Sequence, residues 1–201
     1  MDKALTTDEF IKFVKKSLKE YGFKLKLIDD VLRIDASEVS GYFEEESKSI
    51  KVSTKYEKYL GVLVHEFNHF QQYIENDPLY FNGVEHIDKV WNWLSDDFKF
   101  SGEGHKKEAF RAVIAMELDC ERRSVAMIKE YQLDVPLDEY IIDAYIYLSY
   151  YNFMKKYKTW YKEDVQLKDM REHKCFSKAN LRSDFKNLSK EMIDVFRAYS
   201  K

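Results

Sequence analysis

Proline and glycine are scarce in this 201-residue chain, with two and six copies, so few positions break a helix or turn the backbone left-handed. Much helix is expected. Cysteine is as rare: Cys120 and Cys175 offer no disulfide framework, and reduced thiols in a cytoplasmic setting are the simple expectation. No basic start leads into an apolar run, so no signal peptide is expected. The most apolar tract, Tyr140 to Tyr151, is short and carries Asp143, which argues against a membrane span. Neither sign of charge dominates, at a formal net of −3, and no nucleic-acid motif is present, so no nucleic-acid partner is expected. The 45% apolar content can fill one substantial core, and a single domain over 1–201 is the expectation.

Histidine is scarce too, with five copies, which makes the placement of two of them informative. Val62-Leu63-Val64-His65-Glu66-Phe67-Asn68-His69-Phe70 contains the H-E-x-x-H arrangement of zinc hydrolases. On a helix, residues four apart share a face, so both imidazoles can close on one ion. Glu66 points about 100° away from His65. It is poorly placed as a ligand beside both imidazoles but close enough to reach a water held by the metal, as a general base would. Leu60, Val62, Leu63, Val64, Phe67 and Phe70 make the helix apolar enough to be mostly buried. The bland alternative is a buried helix with two incidental histidines.

A catalytic zinc keeps three protein ligands and one open position, so a third donor is needed. A local one would be Glu75, but the spacing that brings a nearby third ligand back to the metal has glycine at the position of Gln72. Glu75 is therefore expected to stay on the helix, too far along to coordinate. Downstream, Glu108 to Tyr131 has neither glycine nor proline and is expected to form one long helix. Advancing 100° per residue from Phe110 puts Val113, Ile114, Glu117, Glu121, Ser124, Val125 and Ile128 on one side. Two carboxylates inside an apolar stripe need cations or strong donors. A zinc ion would meet that need, and an ion pair with Arg122 or Lys106 is the alternative. Cys120 falls about 80° off the centre of the two glutamates and is expected to be a small buried residue.

Over roughly residues 40 to 131 the chain thus resembles zinc metallopeptidases of the gluzincin type, with His65, Glu66 and His69 matching the first motif. That resemblance implies that a glutamate on a later helix completes the zinc site and that an acid four residues on, usually aspartate, orients a zinc-bound histidine. Glu117 and Glu121 have this spacing. Glu121 is one methylene longer than the usual aspartate, which leaves open which of the two binds the metal; Glu117 is the expected ligand. The resemblance also implies an oxyanion donor, His or Tyr, for which Tyr42, His105, Tyr145 and His173 are candidates.

The layout agrees with an α+β, predominantly helical, zincin-like fold, with a small antiparallel sheet before the H-E-x-x-H helix and a helical C-terminal part. Thr6 and Glu9 form a capping box for an amphipathic first helix ending at Gly22. Phe23 to Leu27 and Val31 to Ile34 are expected to pair antiparallel, and Gly41 to Phe43 with Ser49 to Val52 across the acidic turn Glu44 to Glu46. An edge strand, around Tyr42 or around Ile50, would align an extended peptide by backbone pairing. Three parts follow: helix and sheet over 1–54, active-site helices over 55–131, and a helical subdomain over 137–201. Asn76-Asp77-Pro78 ends the motif helix, a shorter helix lies around Trp91 to Phe98, and Ser101 to His105 is a flexible connection. From Lys155 to Lys190 there are 11 basic and 5 acidic residues, a stretch expected to be a solvated helix end docking on the acidic remainder.

The function implied is zinc-assisted hydrolysis of peptide bonds, with a peptide or protein as substrate and Glu66 as general base. The competing expectation is a helical interaction module whose metal only braces the fold.

Overall fold

The computed structural model describes residues 4–34, 37–162, 167–181, 185 and 187–201. The fold is α+β, mostly helical with a small mixed sheet. The chain divides into two compact units, one of Met1–Glu75 and Arg122–Leu137, the other of Asn76–Glu121 and Asp138–Lys201. The division runs through a single long helix.

The first unit opens with α1 (Thr7–Glu20). Its capping box is present: Glu9 N donates to Thr6 Oγ1 at 3.3 Å, and Thr6 N donates to Glu9 Oε2 at 2.9 Å. Phe10, Val14 and Leu18 are its buried stripe, and Gly22, at φ +78°, ends it in the left-handed conformation that glycine takes without strain. Five strands follow: β1 (Lys24–Ile28), β2 (Leu32–Ile34), β3 (Ser37–Val39), β4 (Gly41–Glu44) and β5 (Ser49–Ser53). β4 and β5 form the expected antiparallel hairpin, turned at Lys48 with φ +48°.

The expected pairing of the first two strands does not form. β1 lies parallel to β5, giving the order β1-β5-β4, and β2 pairs instead with β3. The reason is burial. Parallel register sets Leu25 beside Ile50 and Leu27 beside Val52, on the same face as Phe43 and Gly41. β2 could not complete that face, because two of its three residues are exposed. Tyr42, Glu44, Lys51 and Lys26 alternate onto the opposite face, where Lys51 Nζ meets Tyr42 OH at 2.7 Å and Glu44 Oε2 at 3.3 Å.

On the apolar face lies α2 (Tyr59–Ile74), packed against β4 and β5. Phe70 meets Phe23 and Phe43 edge-on, at 5.3 and 6.0 Å between ring centres. A second side of α2 meets the last turns of α4 (Glu103–Glu130). There Asn68 Nδ2 donates to Val64 O at 2.9 Å and to Ser124 Oγ at 3.2 Å, all buried. Of the two candidate edge strands, the one around Ile50 is the sheet's centre and the one around Tyr42 is its edge.

The second unit contains α3 (Pro78–Leu94), most of α4, α5 (Leu137–Tyr157), α6 (Leu167–Arg171), a 3-10 turn (Lys174–Phe176) and α7 (Lys190–Tyr199). α3 is longer than expected and begins at Pro78. Asp77 accepts from Leu79 N at 2.8 Å and proline occupies the first turn, so the dipeptide that ends one helix also caps the next. Likewise Ser101 to His105 is not all loop: α4 starts at Glu103, with Ser101 Oγ 2.9 Å from His105 Nδ1. One core joins Val90, Phe110, Val113, Tyr151 and Met154; another joins Ile146, Tyr150, Phe153, Met170, Phe176 and Phe196. Of the basic stretch 155–190, residues 163–166, 182–184 and 186 lie outside the described residues. Within the rest, Lys158 pairs with Asp96, and Arg171 with Glu139 and Asp143.

Candidate metal centre

α2 carries the motif because it can be apolar nearly all round: Leu60, Leu63, Val64, Phe67 and Phe70 are buried against sheet and helices. Into that setting it brings the three polar groups of the motif. Glu66 and His69 are each 8% exposed, and His65 is half-buried. One turn apart, the imidazoles of His65 and His69 stand nearly perpendicular, with their Nε2 atoms 3.1 Å apart. Two imidazole nitrogens at that distance share either a proton or a cation, since two lone pairs alone would repel. Ligands about 2.05 Å from a tetrahedral ion sit roughly 3.3 Å from each other, so the observed separation suits a common metal. His69 Nδ1 lies 2.9 Å from Gln72 Oε1, and Gln72 is fully buried.

Glu66 lies beside the edge strand. A β-carbon built on Gly41 would stand 2.6 Å from Val62 Cγ1 and 3.4 Å from Glu66 Cγ; only a residue without a side chain lets β4 come this close to α2. The hairpin register also sets which groups the edge offers. Ser53 N donates to Ser40 O at 2.9 Å, so residues 40, 42 and 44 face β5. The backbone groups of Gly41 therefore turn away from β5.

Among the described residues, His65, His69 and Cys120 form a group that could hold a metal ion, with ligand atoms all within 4.8 Å of one another. Neither Glu117 nor Glu121 belongs to that group. Cys120 is fully buried, as expected, and its thiol is also a donor. Glu117 and Glu121 are 4% and 5% exposed on α4, and the strong donors that their burial requires come partly from α5. Tyr140 OH donates to Glu121 Oε2 at 2.7 Å. Burial, and next the charge of Glu117, raise Tyr147 and Tyr151 well above the usual phenol range. Both stay protonated, with their hydroxyls 2.9 Å apart.

The remaining site candidates have other neighbours. Glu75 caps α2 and pairs with Arg123 at 2.5 Å. Tyr42 points to the face of the sheet away from α2 and bonds Lys51. Exposed His105 meets Ser101, Tyr145 packs on Phe176 and Phe185, and His173 Nε2 lies 3.3 Å from Tyr199 OH. Lys106, a proposed cation for the α4 carboxylates, pairs with Glu103 at 2.9 Å. Two contacts were not anticipated. Gln72 was legible from its helical i+3 spacing to His69. Tyr140 had no local signal, since it lies on another helix.

No helix among the described residues is long and apolar enough to cross a membrane. No family model matches the chain, no curated protein matches it, and no solved structure does.

Proposed function

We propose that this chain is a zinc-dependent hydrolase of peptide bonds, with a zincin-like fold of gluzincin type. The observation that carries the reading is the convergence of His65 and His69 Nε2 at 3.1 Å, on a helix that also holds Glu66 against the edge strand of the sheet. The donor set fits zinc, for which imidazole nitrogen, thiolate and carboxylate are the usual ligands. His65 and His69 supply two ligands and α4 supplies the third, Glu117 by the motif spacing or Cys120 by the donor distances.

When bound, the ion supplies Lewis acidity and lowers the pKa of water from about 15.7 toward ~7. The chain's own residues do the rest. The carboxylate of Glu66 takes the proton from the attacking water and delivers it to the leaving amine. The edge strand β4 pairs with the backbone of an extended substrate, which orients the peptide beside Glu66.

Zinc stoichiometry and cleavage of a broad peptide library, measured for the parent and for Glu66→Gln, test this reading. Both proteins should bind one equivalent of zinc, and only the parent should cleave. Tight zinc binding with no cleavage by the parent would sink the hydrolase reading in favour of a metal that braces a helical interaction module.

A further inference from the structure

Gln72 occupies the position at which a glycine would turn the chain back toward a third local ligand. Because it is not glycine, α2 runs on to Ile74, and a side chain three residues after His69 returns beneath its ring. The amide is fully buried, with Oε1 2.9 Å from His69 Nδ1. We propose that Gln72 is a positioning residue for the metal: it holds His69 in the tautomer protonated at Nδ1, leaving the Nε2 lone pair directed at the ion. The assignment rests on the metal reading above and adds a residue which that reading does not use.

The chemistry follows from what an amide is. A metal-bound histidine usually donates its other N–H to a carboxylate, a carbonyl or water, which fixes the ring and its tautomer. A carboxylate does so while adding a negative charge beside the ion; the Gln72 amide orients the ring without adding one. Glu66 is then the carboxylate that this helix brings to the site, and His69 remains a neutral, weakly polarised donor. A glutamate would perform the same orienting task with a stronger pull on the N–H. An apolar side chain of like size could not perform it, and would leave His69 free to hold its proton on Nε2, where it blocks the metal. The amide's orientation is itself decisive, since with Nε2 in place of Oε1 toward the ring, His69 Nδ1 would accept and the proton would sit on the wrong nitrogen.

Two measurements test this. In metal-free, ¹⁵N-labelled parent protein at about pH 8, where free imidazoles are neutral, long-range ¹H–¹⁵N correlation should show His69 protonated at Nδ1, with the signal assigned by its loss in His69→Ala. Protonation at Nε2 would overturn the proposal, whether or not zinc binds. Zinc affinity by chelator competition should then fall about 10–100-fold in Gln72→Leu and stay at or above the parent level in Gln72→Glu, with the circular dichroism of all three alike. Equal affinity of Gln72→Leu and parent, or an equal loss in Gln72→Glu, would reduce Gln72 to packing. A parent that binds no zinc would overturn the metal reading and the positioning role together, while the tautomer spectrum separately reports whether the Gln72 contact exists.

Discussion

Replacing Gly41 by alanine should separate the edge strand from the motif helix at a cost that can be worked from the structure. The new β-carbon would sit 2.6 Å from Val62 Cγ1 and 3.1 Å from Lys51 O, against an optimum of about 3.5–4.0 Å between carbons. Roughly 1 Å of movement is required. Val62 cannot readily supply it, because a valine in a helix is confined to one χ1 well. Retreat of β4 is opposed by its ladder with β5, in which Gly41 is paired with Val52. Overpacking of this kind costs about 1–3 kcal/mol, and the lack of an easy escape places Gly41→Ala in the upper half of that range. Urea unfolding followed by circular dichroism would measure it. Val62→Ala removes the clashing methyl, so the double variant should be more stable than the sum of single losses by at least ~1 kcal/mol. Gly104→Ala is the control: nothing lies within 4 Å of its added carbon, and in the first turn of α4 it should be neutral or slightly stabilising. A loss below about 0.5 kcal/mol in Gly41→Ala, within the range of ordinary surface changes, or strictly additive effects with Val62→Ala, would refute the close approach. Peptide cleavage should fall with Gly41→Ala and return in part with Val62→Ala, because the same contact sets the distance from Glu66 to the open edge.

Cobalt substitution should settle the third ligand: a thiolate charge-transfer band in the near ultraviolet that vanishes in Cys120→Ser assigns Cys120, whereas its absence, with metal lost in Glu117→Gln, assigns the carboxylate. Thr6→Ala should cost about 1 kcal/mol in urea unfolding, as loss of an N-cap does, and Thr6→Ser should retain most of it. Burial raises the Tyr150 phenol to about 12, against a smaller opposing effect of its bond to Ser200, and raises Tyr161 further. These groups are protonated in the fold at a pH where the unfolded chain ionises, so stability should be constant below about pH 10 and fall from there toward pH 12. Tyrosinate absorbance that develops fully near pH 10 without loss of helix would contradict this.

What could be read from the chain was what depends on neighbours in sequence. The Thr6 capping box, the β4–β5 hairpin, the motif helix and the burial of Glu117 and Glu121 each follow from spacing within one element or across one turn. The parallel partner of β1 did not, because Lys24 to Ile28 alternates identically whether it faces β2 or β5; only the apolar face completed by Ile50 and Val52 distinguishes them. Asp77-Pro78 ends the motif helix as expected, but its second role as the start of α3, like the start of α4 within Ser101 to His105, was not legible, since the residues that stop one helix can also start another.

The choice among α4 donors was hidden by the kind of information that a helical wheel holds. Stepping 100° per residue orders side chains around the axis but says nothing of height along it. On the wheel Cys120 stands at one margin of the stripe and the glutamates at its centre. Along the axis the order is different: Ser124, which meets Asn68 of the motif helix, is one turn beyond Cys120 and about 10 Å beyond Glu117 at 1.5 Å per residue. Height separates residues that the wheel groups together: Glu117 and Glu121 share its centre, yet Glu121 lies one turn nearer to Ser124. The buried polar contact between Asn68 and Ser124 therefore fixes the height of the motif helix against the last turns of α4, and no property of the two helices taken singly contains it.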